Sequence, residues 1–264
     1  MLVASIAAPL GAVPELLSDM DCVVEPSLIV ALGSASPGLL AETLHDRSDY
    51  VRRGQLMASL ESGVEAAALA IAEAGAADAS AVELRRVAAG FGQRTQRRND
   101  RLGDGSVISA QALDQVRTES EVARLQVIQE QRTARIANLE VARARAVLAR
   151  RQLRSPIEGT VMERLSSAGE FVDGDPVYRI AQLDPLHVEV IVPIDYLGVL
   201  HAGSAAGVTL QVPGFEGRVL EARVRRIDAV ADPASATYGV RLSLPNPDLT
   251  IPAGVRCSVD FLTS

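Results

Sequence analysis

Lysine is absent from the 264-residue chain, and all 26 basic residues are arginines. That excludes any carrier that holds its cofactor as an amide on a lysine. Tryptophan is absent too, and aromatics make up only 3%. The 48% hydrophobic share is therefore mostly Ala, Val and Leu. Such a mix suits long helices with shallow seams and small β modules better than one large core. No stretch approaches the ~20 apolar residues of a membrane-spanning helix. The formal net charge of -7 leaves no basic footprint, so nucleic acid is not an expected partner. Two cysteines, Cys22 and Cys257, exclude a disulfide-dense scaffold and fit no zinc spacing. Their number is compatible with one bridge and equally with two free thiols. Cys257 shares a strand face with Val255, Val259 and Phe261, and reads as a small buried hydrophobe. Cys22 follows Asp-Met-Asp, which is not the small-residue context of an acylation site.

Catalytic constellations are missing as well. His45, His187 and His201 are scattered. They read as a turn residue, an outward strand residue and a loop residue, and no nucleophile–base order, phosphate-cradling loop or metal spacing accompanies them. The chain reads as a non-enzyme with no catalytic, cofactor-binding or metal-binding residues. The first twelve residues are apolar and small but lack the positive start of a secretory signal. Residues 1–26 are read as a signal remnant or a disordered N-terminus.

Periodicity divides the remainder. Short apolar runs punctuated by Gly and Pro fill 27–60, as in small strands. Residues 61–154 contain no proline and are rich in Ala, Arg, Glu, Gln and Leu, a helical composition. Gly103-Asp104-Gly105 interrupts them, and Ser109 then precedes a new periodic run as an N-cap would. Two antiparallel helices with an apex near 103–108 follow, each arm roughly 60 Å long. In the second arm Ile136, Leu139, Ala142, Ala146, Ala149 and Leu153 recur at spacings of three and four and are expected to form a coiled-coil seam. Asp114/Arg117, Glu121/Arg124 and Glu140/Arg143 are acid-first pairs suited to an exposed face. Gly75, Gly90 and Gly92 predict a kink or fraying in the first arm.

The strand-rich pieces on either side of the helices look like copies of each other. Tyr50-Val51-Arg52-Arg53-Gly54, followed by the strand ending at Leu60, parallels Phe171-Val172-Asp173-Gly174, followed by the strand ending at Ile180. The second turn is one residue shorter. Two half-motifs too small to bury a face alone would pack into one sandwich. Strands with Pro, Gly and Asp breaks continue from Leu183 to Phe261. Leu186/Val188/Val190/Val192 and Leu220/Ala222/Val224 alternate with polar residues, giving one buried and one wet face.

The run Arg154-Ser155-Pro156-Ile157-Glu158-Gly159-Thr160-Val161, then Gly169-Glu170-Phe171-Val172, then Tyr178 to Leu186, resembles the second lipoyl half of periplasmic adaptor proteins, also called membrane-fusion or HlyD-like proteins. Tyr50 to Ala58 resembles the first half, and Leu244 to Leu249 with Pro252-Ala253-Gly254 resembles the last barrel hairpin. The similarity runs from about Ser27 to the end of the chain.

The resemblance implies an elongated, multi-domain α+β fold. It consists of a split lipoyl/biotinyl-like β-sandwich (27–60 plus 155–182), an inserted α-helical hairpin (61–154) and a small β-barrel (183–264). The turns of the lipoyl halves are assigned to Gly54, Gly159, Gly169 and Gly174. The family's hairpin-tip signature falls on Arg98, Leu102 and Ser109, which implies contact with an outer-membrane channel there. The implied role is the periplasmic adaptor of a tripartite efflux system in a Gram-negative bacterium. Its partners would be an inner-membrane transporter of RND or ABC type and the channel, with self-association into a ring. A coiled-coil scaffold is the alternative reading. The membrane-proximal domain that many members add is expected to be missing. A true lipoyl carrier is ruled out by the missing lysine.

Overall fold

The computed structural model describes residues 18–77, 80–103 and 109–261. Strands β1 (Met20–Gly33), β2 (Gly38–Thr43), β3 (Tyr50–Val51) and β4 (Leu56–Leu60) lead into helices α1 (Gly63–Ala77), α2 (Ser80–Gly103) and α3 (Ala110–Ala149). Strands β5 (Gln152–Arg154), β6 (Gly159–Arg164), β7 (Phe171–Val172) and β8 (Pro176–Pro193) follow. The chain continues with β9 (Ala205–Leu210), β10 (Val219–Ile227), β11 (Thr237–Leu244) and β12 (Val255–Phe261).

The barrel is closed. Its strands run in the order β1, β12, β9, β10, β11, β8, and β8 pairs back onto β1. Alternation fills the interior: Val188, Val190 and Val192 of β8, Val240 and Leu242 of β11, Val208 of β9 and Val259 of β12 are each at most 1% exposed. Burial of each such side chain is worth about 1.5–3 kcal/mol. The first barrel strand comes from the N-terminal segment, which corrects the reading as a signal remnant or disordered end from Met20 onward. Residues 1–17 lie outside the described residues. From Met20 on, however, Cys22 and Val24 alternate inward while Asp21, Val23 and Glu25 face out. Without this strand, the edges of β12 and β8 would be unpaired.

Cys22 and Cys257 are directly opposed on β1 and β12 and form a disulfide. Cys257 is buried as expected, but as half of a bridge and not as a free hydrophobe. The bond joins the first strand of the barrel to the last.

The lipoyl-like module is built on an internal two-fold repeat that reaches further upstream than the sequence comparison. β2 pairs β7 as β3 pairs β6. The end of β1 lies on β8 as β5 lies on β4. Leu44 N donates to Met57 O, and Leu165 N donates to Val177 O. Ser34 Oγ donates to Ser36 O at 2.5 Å, and Ser155 Oγ to Ile157 O at 2.6 Å. The two halves share one core, with Leu40, Val51, Met57 and Leu60 against Val161, Val172, Val177 and Ile180. Tyr178 is wholly buried within it, and its hydroxyl donates to the carbonyls of His45 and Met57.

Three of the four assigned glycines, Gly54, Gly169 and Gly174, adopt positive φ. Gly159 does not, which corrects its reading as a turn residue. It opens β6, where a Cβ would collide with the carbonyl of Ala181.

β1 and β8 each run through both modules, pairing from Cys22 to Gly33 with a register shift between Pro26 and Leu28. Asn246 seals the junction. It is 2% exposed. Its Nδ2 donates to Leu183 O and Ile251 O, its Oδ1 accepts from Ile251 N, and its own N–H donates to Asp184.

Candidate partner interface on the helical hairpin

The hairpin is fastened to the lipoyl-like module at its root. Arg151 donates to Glu65 through Nε and Nη2 at 2.9 and 2.5 Å, and through Nη1 to Pro37 O at 2.7 Å. Arg150 reaches Ala35 O at 2.6 Å. The hydrogen bond from Arg151 holds the Glu65 carboxyl below its ordinary pKa. The root is thus a charge-assisted clamp between the first and last turns of the hairpin.

From this root α1 and α2 run out against the returning α3. Gly75 lies within α1, and Gly90 and Gly92 lie within α2. Residues 78 and 79 lie outside the described residues, and helix continues through the glycines on both sides of them. Gly92 is used for close approach: a Cβ there would sit 3.4 Å from Ser120 Cα.

The expected seam is also corrected. Ile136 and Leu139 are 58% and 62% exposed, and Ala142, Ala146 and Ala149 are exposed as well. Leu153 belongs to β5 and to the lipoyl-like core. The covered face of α3 runs instead through Leu113, Val116, Ser120, Ala123, Val127, Glu130, Ala134, Ala137, Val141, Ala144 and Leu148. It faces Leu69, Ala72, Val82, Arg85, Ala89 and Gly92 on the first arm. Leu and Val alternate with small residues along this seam, and the arms approach most closely where Ala89 and Gly92 meet Ser120.

Polar contacts tie the arms together along their length. Arg145 reaches Glu73 at 2.7 Å, Arg85 reaches Gln126 at 3.3 Å, and Arg117 reaches Asp100 at 2.8 Å. Of the acid-first pairs, Glu121–Arg124 forms at 2.6 Å, while Arg117 turns across the hairpin instead.

At the far end of the hairpin Arg98, Leu102 and Ser109 are all exposed, Leu102 by 44%. Ser109 caps α3 by accepting from Ala112 N at 3.3 Å. The apex between Gly103 and Ser109 lies outside the described residues.

No cluster that could hold a metal ion occurs among the described residues. His45 contacts Leu56 O, and His201 is exposed. His187 sits on the outer barrel face, where burial and then Arg241 lower its pKa. A cavity of about 240 Å³ between the modules is lined by Tyr50, Glu158, Asp184 and Pro247. The Tyr50 hydroxyl donates to Glu158 there, and that bond raises the pKa of the phenol.

The barrel decides the comparison with known proteins. Residues 185–264 match the CusB-like β-barrel domain family. The chain has the fold of a membrane fusion protein. MacA from Actinobacillus actinomycetemcomitans superposes with a TM-score of 0.75 at 18% identity, over 93% of this chain and 78% of that one. The membrane fusion protein Spr0693 from Streptococcus pneumoniae R6 gives 0.60 at 17% identity, over 93% and 98%. ZneB from Cupriavidus metallidurans gives 0.50 at 19% identity, again over 93% and 98%. No curated protein matches the chain by sequence. The membrane fusion fold accounts for the split repeat, the inserted hairpin and the closed barrel together. A free-standing coiled-coil scaffold would leave the first and third of these without a role.

Proposed function

We propose that the protein is the periplasmic adaptor of a tripartite efflux system, joining an inner-membrane transporter to an outer-membrane channel in a Gram-negative envelope. The observation that carries this reading is the hairpin. It is clamped at its root to a β module and presents Arg98, Leu102 and Ser109, exposed, at its other end. In this reading the tip residues meet the channel, the β modules face the transporter, and copies assemble into a ring around the transport axis. The adaptor performs no chemistry; it works by holding two membrane proteins in line. The disulfide suits an oxidising compartment such as the periplasm. The barrel family carries the RND designation, which favours a proton-driven partner over an ATP-driven one.

The test is export by a strain lacking the gene and complemented with variants. Arg98→Asp or Leu102→Asp is expected to abolish export while the purified variant unfolds within about 0.5 kcal/mol of the parent, as exposed positions do. Export at parental levels with both substitutions combined would contradict the tip assignment.

A further inference from the structure

The cavity between the two β modules has walls from both of them. Tyr50 and Glu158 come from the lipoyl-like module, Gln182 and Asp184 from the stretch of β8 that crosses between modules, and Pro247 and Leu249 from the loop between β11 and β12. Each polar side chain in it holds one partner and keeps an acceptor open. Glu158 accepts from the Tyr50 hydroxyl through Oε1, Asp184 accepts from Asn246 N through Oδ1 at 2.8 Å, and Gln182 donates through Nε2 to Asp184 O at 3.0 Å. Glu158 Oε2, Asp184 Oδ2 and Gln182 Oε1 accept from no described residue.

The two carboxylates also lack a counter-charge. Glu65, Glu163 and Glu189 each carry an arginine partner. Glu158 and Asp184 form no ion pair with a described residue. Arg52 is within electrostatic reach of Tyr50, but its hydrogen bond, from the backbone N–H, goes to Gln55. Two like charges lining one space raise each other's cost, and a cation between them removes it. The remaining walls are the Tyr50 ring, 44% exposed, with Pro247 and Leu249. A bare metal ion would leave those walls unused, and no group of three or more metal-ligating side chains occurs among the described residues.

We propose that this cavity is a binding site for an organic cation, a protonated primary amine on a small apolar or aromatic body. The ammonium donates to Glu158, Asp184 and Gln182. The body packs on the Tyr50 ring, where cation–π attraction adds to apolar contact. The occupant touches the lipoyl-like module and the barrel at once, and so adds a tie across the junction that Asn246 seals. The site stands on its own geometry and does not depend on the adaptor role.

The test is equilibrium dialysis of the purified full chain at neutral pH with 2-phenylethylamine, with the neutral 2-phenylethanol of the same shape, and with calcium chloride, which offers charge without an apolar body. The amine is expected to bind saturably and to raise the thermal midpoint. The alcohol should bind about ten-fold more weakly or less, as the loss of a charge-assisted hydrogen bond implies. Glu158→Gln leaves an acceptor for the Tyr50 hydroxyl and should weaken the amine by about the same factor. Tyr50→Leu should weaken it as well. Asp184 is left unchanged because it also holds Asn246. The midpoint of each ligand-free variant is compared with the parent to show that the fold is intact. No saturable amine binding up to millimolar concentration, equal binding of amine and alcohol, tighter binding of calcium than of the amine, or amine binding unaltered by Glu158→Gln would each overturn the proposal.

Discussion

Ser48 adopts φ of 74° at the place in the first lipoyl half that Gly169, with φ of 90°, occupies in the second. An L-residue in the left-handed region costs about 1 kcal/mol that glycine does not. Ser48→Gly is therefore expected to raise stability by up to about 1 kcal/mol in chemical denaturation. Gly159→Ala should act in the opposite direction through space, not torsion. The Ala181 backbone cannot move aside cheaply, so a loss of about 3 kcal/mol, the upper end for overpacking, is expected. Asn246→Ala strips the junction of its buried amide partners and should cost about 2–4 kcal/mol, read by urea unfolding. At this scale the sequence was a partial guide. Glycine marks a special backbone position, but not whether the need is conformational, as at Gly54, or steric, as at Gly159. A serine such as Ser48 hides the same conformation altogether.

At the scale of elements, the existence of the hairpin and the alternation of β8 and β10 were legible because each follows from a period in the sequence. Facing was not. α3 carries two apolar stripes at spacings of three and four, one through Val127, Val141 and Leu148 and one holding Ile136 and Leu139. Hydrophobicity does not choose between them, and the packing of the first arm, closest at Gly92 and Ser120, selects the first. The period-two pattern Cys22/Val24 was present in the N-terminal segment too. Two inward residues alone do not specify a strand when the strands it pairs with, β12 and β8, lie far along the chain.

Two predictions belong to elements. The hydrogen bond from Arg151 lowers the pKa of Glu65, so its contribution to the root clamp is present above the ordinary carboxylate range. It is lost as pH falls through the depressed folded value, below the ordinary range of a glutamate. Hydrogen-exchange protection in the first turns of α1, taken relative to the intrinsic rate at each pH, should therefore fall in acid for the parent. In Glu65→Gln it should already be low at neutral pH and show little of this acid dependence. For the barrel, the Cys22–Cys257 bridge spans a sequence separation of 235. Replacing both with alanine should lower stability by about 5 kcal/mol at the chain-entropy limit, as should reduction of the parent. Equal thermal midpoints with and without reductant would show that the bridge contributes nothing.

The whole molecule is two β modules sharing the strands β1 and β8, with the hairpin inserted between the halves of one of them. Its order of parts was legible from the split repeat and the uninterrupted helical composition between the copies. Barrel closure was not, because it depends on a pairing between the two ends of the chain. The arrangement makes the hairpin a projection whose root is held by charge-assisted bonds and whose end is free to engage a partner. The central claim is that this partner is a channel of the outer membrane. The most direct measurement places a photo-crosslinking residue at Leu102 of the otherwise native protein, in cells exporting through the intact system, and identifies what is captured. The account predicts an outer-membrane channel in the crosslinked product, lost on Arg98→Asp. Capture of only inner-membrane or soluble periplasmic proteins, with export intact, would contradict it.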